Sequence, residues 1–273
     1  MGFELKRTGS DVAVYLDGRL FTTCVNSAEF KAPFMGPVLT GDGISFTRPD
    51  LHHKEHPHQR SVFIGIGDVN GYDFWNENGK PLGLIRAKSV DSSCDGETAA
   101  VTVKAVWQGR RGKPFLDEER EYRFSKAGGN AVRADISLKL TANYRDIKFG
   151  KTKEAGPLGI RVADEMRVKQ GGRFVNSEGG VNEEGCWGKT ARWCDYSGTI
   201  GGKTIGIAAF DHPGNERYPT AWHIRDYGLF AVNPWYWAGD YTLSAGETLR
   251  FRYRVIVHAG DTREAHIAEQ YLL

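Results

Sequence analysis

The sequence predicts an all-β protein of large packed antiparallel sheets, and three observations carry that prediction. First, strict two-residue alternation recurs in long runs. Val101, Val103, Ala105 and Trp107 alternate with Thr102, Lys104 and Gln108. Val132, Ala134, Ile136, Leu138 and Leu140 alternate with Arg133, Asp135, Ser137, Lys139 and Thr141, and Leu249, Phe251, Tyr253, Val255 and Val257 alternate with Arg250, Arg252 and Arg254. Successive side chains of a strand point to opposite faces, so each run puts one face on a core and the other in water. Second, helical spacing is confined to the tail. Third, the 34 glycines punctuate the chain with turns, as many strand-to-strand connections require.

The elements follow in order. Val12, Val14 and Leu16 lead through Asp17-Gly18 into Leu20, Phe21 and Val25, a hairpin signal. Residues 31–50 hold three prolines and the turn Gly41-Asp42-Gly43, which predicts extended loops with a short strand at 44–46. Val62–Ile66 reads as a buried strand. In the tail, Asp261 can cap a short helix with Glu264 three residues on, and Ile267, Ala268, Tyr271 and Leu272 share one face. No repeat or linker interrupts the chain, so residues 1–273 are expected to form a single β-sandwich domain. Trp107 reads as core. Trp193 and Trp235 read equally as core or as platform. His258, on a strand, and His266, on the tail helix, read as structural. Glu118, Glu119 and Arg120 read as surface charge, and the Arg250, Arg252, Arg254 row as a solvated sheet face.

Composition narrows the class. Hydrophobic residues make up 40% and charged residues 26%, enough for a full core. The net charge is +2, from 36 basic and 34 acidic residues without a basic block, so no nucleic-acid partner is expected. Cys24, Cys94, Cys186 and Cys194 lack CxxC spacing and are expected to be reduced thiols. No run approaches 18 apolar residues and the start has no apolar signal core, so no membrane partner is expected and the location is expected to be cytoplasmic or periplasmic. The oligomeric state is not legible.

The unusual chemistry lies in four stretches. The first, His52 to Trp75, holds His52, His53, His56 and His58, then Arg60, Asp68, Asn70, Asp73 and Trp75. An imidazole titrates near neutrality, so such a cluster suits proton transfer or metal binding. On a strand, His56 and His58 would face the same way, open to a divalent metal, although no third ligand is evident nearby; no cofactor is otherwise expected. The second stretch carries Glu154, Arg161, Asp164 and Glu165. The third carries Trp187, Lys189, Arg192, Trp193, Asp195 and Tyr196. The fourth carries Asp211, His212, Asn215, Arg217, Tyr218, Trp222, His223, Arg225, Asp226, Asn233 and Trp235.

The segments HPHQRSVFIGIGDVNGYDFW, KEAGPLGIRVADEM, GCWGKTARWCDYSG and AFDHPGNERYPTAWHIRDYGLFAVNP resemble an uncharacterised bacterial family often labelled "PmoA-like" or "methane oxygenase". The resemblance covers roughly residues 30–258. A membrane monooxygenase subunit needs long apolar helices, so the oxygenase label does not fit this chain. What the resemblance implies is a soluble β-sandwich protein associated with sugar breakdown. A weaker similarity to aldose-1-epimerase-like supersandwiches rests on length, all-β character and His/acid content, which is fold-level analogy.

These readings lead to an expected enzyme acting on a small carbohydrate, a sugar or keto-sugar, by His/carboxylate acid–base chemistry: elimination or hydration (a lyase or hydratase), or epimerisation. His56, His58, Glu154, His212, His223 and Asp226 are the candidate catalytic groups. Arg60, Asp68, Trp75, Trp187, Arg192, Tyr218, Trp222 and Arg225 are the candidate substrate contacts, since flat aromatic faces stack on sugar rings and polar groups take the hydroxyls. The alternative is a non-catalytic carbohydrate-binding or accessory β-sandwich. Convergence of His56 or His58, Arg60, Glu154, His212 and His223 on one cleft with a Trp wall is expected.

Overall fold

A computed structural model describes residues 2–79 and 81–271. In chain order the strands are β1 (Phe3–Thr8), β2 (Asp11–Leu16), β3 (Arg19–Val25), β4 (Phe34–Met35), β5 (Val62–Ile66), β6 (Leu84–Cys94), β7 (Thr98–Gln108), β8 (Pro114–Lys126) and β9 (Val132–Thr141). They continue as β10 (Ile147–Phe149), β11 (Ala155–Arg161), β12 (Arg173–Asn176), β13 (Trp193–Ile200), β14 (Lys203–Asp211), β15 (Trp222–Arg225), β16 (Leu229–Val232), β17 (Tyr241–Leu243) and β18 (Thr248–Ala259). A single-turn helix, α1, spans Asn182–Cys186.

Two eight-stranded antiparallel sheets form the sandwich. The first runs β1-β2-β3-β4-β5-β11-β16-β15 and the second β12-β13-β14-β18-β9-β8-β7-β6, with β10 and β17 pairing apart. The alternating runs behave as their pattern requires: Val101, Val103, Trp107, Ile136, Leu138, Phe251 and Val255 all enter the core between the sheets. The β2–β3 hairpin turns at Asp17 (φ 53°) and Gly18 (φ 79°), two consecutive positive φ values that give the turn a twist matching the strands.

Three expectations need correction. Residues 44–46 form no strand, only isolated bridges at Ser45 and Thr47. In the tail the Asp261–Glu264 capping box is present, with the Asp261 backbone N–H donating to Glu264 Oε2 at 3.0 Å and the Glu264 N–H donating to Asp261 Oδ1 at 2.9 Å. The segment after it closes only as a 3-10 turn, Ile267–Tyr271, and Leu272 lies outside the described residues. The third concerns Glu118 and Arg120, which are buried rather than surface charges. Strand parity is the reason: Leu116, Glu118, Arg120, Tyr122 and Phe124 share one face of β8, so the pair is carried inside with its apolar neighbours. Inside, Arg120 Nε donates to Glu118 Oε1 at 2.6 Å and Trp107 Nε1 donates to Glu118 Oε2 at 2.6 Å. Arg120 Nη1 donates to the Pro33 carbonyl at 2.9 Å.

The centre of the first sheet is covered on both sides. Every residue of β5 and of β11 is buried, although alternate residues of each face away from the inter-sheet core. The cover on that outer face is a second apolar cluster of Val25, Phe30, Phe34, Phe63, Trp75, Leu229 and Ala231, with Leu51 and Tyr227 packed against it. The long β4–β5 connection, which carries the four histidines, and the Trp75 segment thus fold back over the sheet they flank.

Candidate functional site

Strand register sets out the floor beneath this cover. Phe63 on β5 pairs with Gly159 on β11, Gly159 with Ala231 on β16, and Ala231 with His223 on β15. Directly opposed residues of antiparallel strands share a face, so these four make one row on the outer side. Three strand spacings of ~4.8 Å separate Phe63 from His223, about 14 Å. The intervening residues are small. A Cβ on Gly159 would meet Phe63 Cζ at 2.7 Å, which shows the Phe63 ring leaning over the glycine. The adjacent row is Arg161, Leu229 and Arg225.

The histidine loop docks on these rows through Tyr227. The His56 ring stacks on Tyr227, centroids 4.7 Å apart and 10° between planes, and meets His58 edge-on at 5.9 Å. Beneath Tyr227 lies the Arg161 guanidinium, 4.6 Å from the ring centroid, with Arg225 at 5.8 Å. Gln59 completes the link: its amide donates to the Tyr227 hydroxyl at 3.3 Å, and its oxygen accepts from Arg161 Nη1 at 2.6 Å. His58 faces the Trp75 ring at 5.9 Å and, with Lys31, Phe34, Arg60, Phe63, Trp75 and Glu77, lines a recess at the β5 side.

Burial sets the charge states. His58 is pulled down to about 3 by burial first and then by its closeness to His56 and the Lys31 charge, and His223 to about 4 by burial and then Arg225. His56 is lowered too, first by burial and then by Arg161. All three imidazoles are therefore neutral at pH 7. Neither His56 Nδ1 nor His223 Nδ1 has a hydrogen-bond partner among the described residues, though both are buried. Lys31 is pushed down to about 8 by burial, against the pull of Asp73 and Glu77.

The sequence-nominated residues divide into two groups. His56, His58, Arg60, Trp75, His223 and Arg225 lie on or over the outer face of the first sheet. Arg60 is held by the Leu51 carbonyl at 2.9 Å and by Glu77, and it covers Phe30. Glu154 immediately precedes β11; Thr152 Oγ1 donates to its Oε2 at 3.1 Å, and Lys153 Nζ stands 3.5 Å from its Oε1. Trp187 flanks the β15 edge, where the neighbouring Gly188 N–H donates to the Trp222 carbonyl at 2.8 Å. It is 36% exposed and packs edge-on against Trp237 at 5.2 Å, beside Tyr236.

The others are placed elsewhere. His212 lines a separate recess on the outer face of the second sheet with Glu121, Arg123, Asp135, Arg252 and Arg254, and its Nδ1 accepts the Gly214 N–H at 2.9 Å. It therefore does not share a cleft with His56. Asp226 braces a turn: its Oδ1 accepts the Glu183 N–H at 2.8 Å, and its own N–H donates to Glu183 Oε2 at 3.0 Å. Asp68 accepts the Gly71 N–H at 2.8 Å within its own turn. Trp222 is 1% exposed in the inter-sheet core, where its Nε1 donates to the Ala191 carbonyl, so it offers no surface to a ligand. Arg192 and Tyr218 both meet Tyr271 of the tail. The nearest set of metal-competent groups is not His56 and His58 but His53, Glu55 and Asp164, whose candidate ligand atoms lie within 4.8 Å of one another. Arg48, Arg161 and Arg167 already neutralise those carboxylates, a poor setting for a cation. Sequence reading passed over Lys31, Gln59 and Tyr227. Nothing local marks them, since each matters only through what the loop brings beside it.

The model of the family of unknown function DUF6807 matches residues 4–272. The chain belongs to that family. An uncharacterised family is what the sequence resemblance implied, under a different label. No curated protein matches the DUF6807 chain. Among solved structures, the α-galactosidase AgaB of family GH36 from Geobacillus stearothermophilus is 10% identical with a TM-score of 0.49, over 97% of this chain and 42% of that one. An α-galactosidase from Lactobacillus brevis is 9% identical with a TM-score of 0.44, over 96% and 40%. A polysaccharide lyase is 10% identical with a TM-score of 0.41, over 99% and 34%. The chain spans less than half the length of each. No helix among the described residues is long and apolar enough to cross a membrane.

Proposed function

We propose that this DUF6807 protein is a carbohydrate-active enzyme that moves protons on a sugar or keto-sugar at the outer face of its first sheet. The observation that carries the reading is the placement of His56, His58 and His223 over one sheet face, neutral, with the buried Nδ1 atoms of His56 and His223 lacking hydrogen-bond partners among the described residues. A buried polar atom without a partner costs stability unless a ligand completes it, and such sites gather where function is. A neutral imidazole can accept a proton from a carbon next to a carbonyl, and Glu154 beside β11 supplies a carboxylate on the same sheet. Arg60 and Arg225 would stabilise the oxyanion that forms when that proton leaves. Trp75 is itself buried, packed between Phe63 and His58, so it fixes the position of His58 instead of meeting a sugar ring. The reaction would be elimination, in which the enolate expels a β-hydroxyl or β-alkoxide that leaves protonated as water or an alcohol; hydration, the same step reversed with water added; or epimerisation, in which the proton returns to the opposite face of the carbon.

The test is turnover of a panel of keto-sugars and glycosides by wild type, H58A and H223A, with thermal unfolding as the control for folding. Losses of at least two orders of magnitude in kcat/KM with intact unfolding transitions are expected. Full activity in both variants would overturn the proposal. One observation favours the second reading, a non-catalytic carbohydrate-binding module: Trp187, Tyr236 and Trp237 form an aromatic cluster with Trp187 partly open to solvent. Sugar binding that W187A weakens and H223A leaves alone, without turnover, would establish it.

A further inference from the structure

Below the histidine loop lies a group of charges that the proton-transfer proposal does not use. Arg48 and Arg161 are fully buried and Arg167 nearly so, an unusual state for three guanidiniums. Two carboxylates face them. Asp164 sits on the segment that follows β11, 2.7 Å from Arg167, 3.1 Å from Arg48 and 3.6 Å from Arg161. Glu55 comes from the histidine loop, 2.7 Å from Arg167, 3.7 Å from Arg48 and 3.9 Å from Arg161. Three positive charges against two negative ones leave an excess of one. The donors are unsatisfied as well: Arg161 Nε and Nη2 and Arg48 Nε are buried without hydrogen-bond partners among the described residues. Arg161 is pulled down to about 10 by burial and by the two other arginines, a sign of crowded positive charge.

Arg48 and Arg161 are anchored in the sheet, whereas Glu55 reaches them from the loop, with Arg48 Nη1 donating to its carbonyl at 2.6 Å and Arg167 Nη2 to its carboxylate at 2.7 Å. The Arg161 N–H donates to the Ser61 carbonyl, and the Arg48 N–H to the Arg161 carbonyl, so their backbones are tied into the sheet. Glu55 is 44% exposed on a loop, and the next residue, His56, takes a left-handed backbone (φ 50°) to stack on Tyr227. A loop carboxylate thus occupies a guanidinium pocket whose charge exceeds what it neutralises.

We propose that Arg48, Arg161 and Arg167 form a binding site for the carboxylate of an acidic sugar, and that the Glu55 side chain holds the place of that carboxylate until the ligand displaces it. The sugar part of the inference rests on the carbohydrate reading above; the anion site rests on the charge excess and the unpartnered guanidinium nitrogens. Guanidinium matches a carboxylate with paired N–H donors, which is why arginine serves such recognition. Exchange of one carboxylate for another leaves the charge count unchanged, and only the Glu55 side chain has to swing away, so His56 and His58 keep their places over the outer face.

The experiment is isothermal titration of the full chain with glucuronate, galacturonate and mannuronate, each paired with its neutral hexose. Wild type should bind at least one acid about tenfold more tightly than its hexose, the size of one charge-assisted hydrogen bond. E55A should tighten that acid further and leave the hexose unchanged. R161M should abolish the preference, and R167Q serves the same purpose if R161M does not fold. Equal affinities within every pair, no response of acid binding to E55A, or no acid binding at all would each overturn the carboxylate site. Hexose binding in those cases leaves the carbohydrate reading standing; acid preference without any hexose binding upholds the anion site and counts against the neutral-sugar reading.

Discussion

Holding His223 neutral inside the first sheet has a measurable consequence in acid. Its folded pKa is depressed to about 4 from an ordinary 6.5 by burial and by Arg225, so the unfolded chain binds the proton more readily than the folded one. Stability from this group is therefore complete above pH 6.5 and is lost as pH falls toward 4, where the folded form protonates too. At pH 5 the medium is 1.5 units below the unfolded pKa, which at about 1.4 kcal/mol per unit is about 2 kcal/mol of lost stability. His58, depressed to about 3 by burial and by His56 and Lys31, follows the same sign and contributes a similar loss at pH 5. Urea unfolding of wild type, H223Q and H58Q at pH 7 and pH 5 measures it. Each substitution should shrink the difference in unfolding free energy between the two pH values by about 2 kcal/mol, whatever it does to stability at pH 7. An H223Q variant with the full wild-type acid sensitivity would show that the imidazole is not held neutral, and the proton-acceptor role would fall with it.

Further outcomes follow from other contacts. R120M leaves Glu118 buried beside Trp107 without its cation and should cost about 3–5 kcal/mol in urea unfolding, whereas E118Q/R120M should recover part of the loss; equal losses in both would mean that charge is not the issue. W75A empties the space between Phe63 and His58 and should cost about 3–5 kcal/mol; a stability change below about 1 kcal/mol would contradict its packing. W187A, at a partly open position, should change stability by less than about 0.5 kcal/mol while weakening sugar binding if the aromatic cluster touches ligand; unaltered affinity would remove that cluster from the site. His258 is the opposite pH case to His223. Burial lowers its pKa, but the Asp195 carboxylate 3.0 Å away raises it more, so its stabilisation is present below pH 6.5 and fades as pH climbs through the raised value. An H258N protein should lose that alkaline decline.

How much of this was legible before folding depends on the range of the interaction concerned. Alternation is local. Val132 to Leu140 and Leu249 to Val257 announce half-buried strands because side-chain direction follows backbone parity, and Asp17-Gly18 announces a hairpin because two positive φ values suit few other pairs. The same rule would have placed Glu118 and Arg120 inside, since they share parity with Leu116 and Tyr122; their charge argued otherwise, and each alone would have been right to stay out. The residue types of the candidate site were also legible: His56, His58, Arg60, Trp75, His223 and Arg225 stood out by composition, and they lie on or over one sheet face.

Which of them share that face was decided by strand order. His212 and His223 are eleven residues apart, yet β14 pairs with β18 in the second sheet and β15 with β16 in the first, so the chain changes sheets between them. Tyr227, Gln59 and Arg161 became a docking platform only when the histidine loop folded over β11 and β16. Glu55 met three arginines only because residues 48, 55, 161 and 167 converge across long sequence separations. Local pattern fixes which way a side chain points along its own strand. Which other strand lies beside it is set by burial summed over the whole chain, and no short stretch of sequence contains that sum.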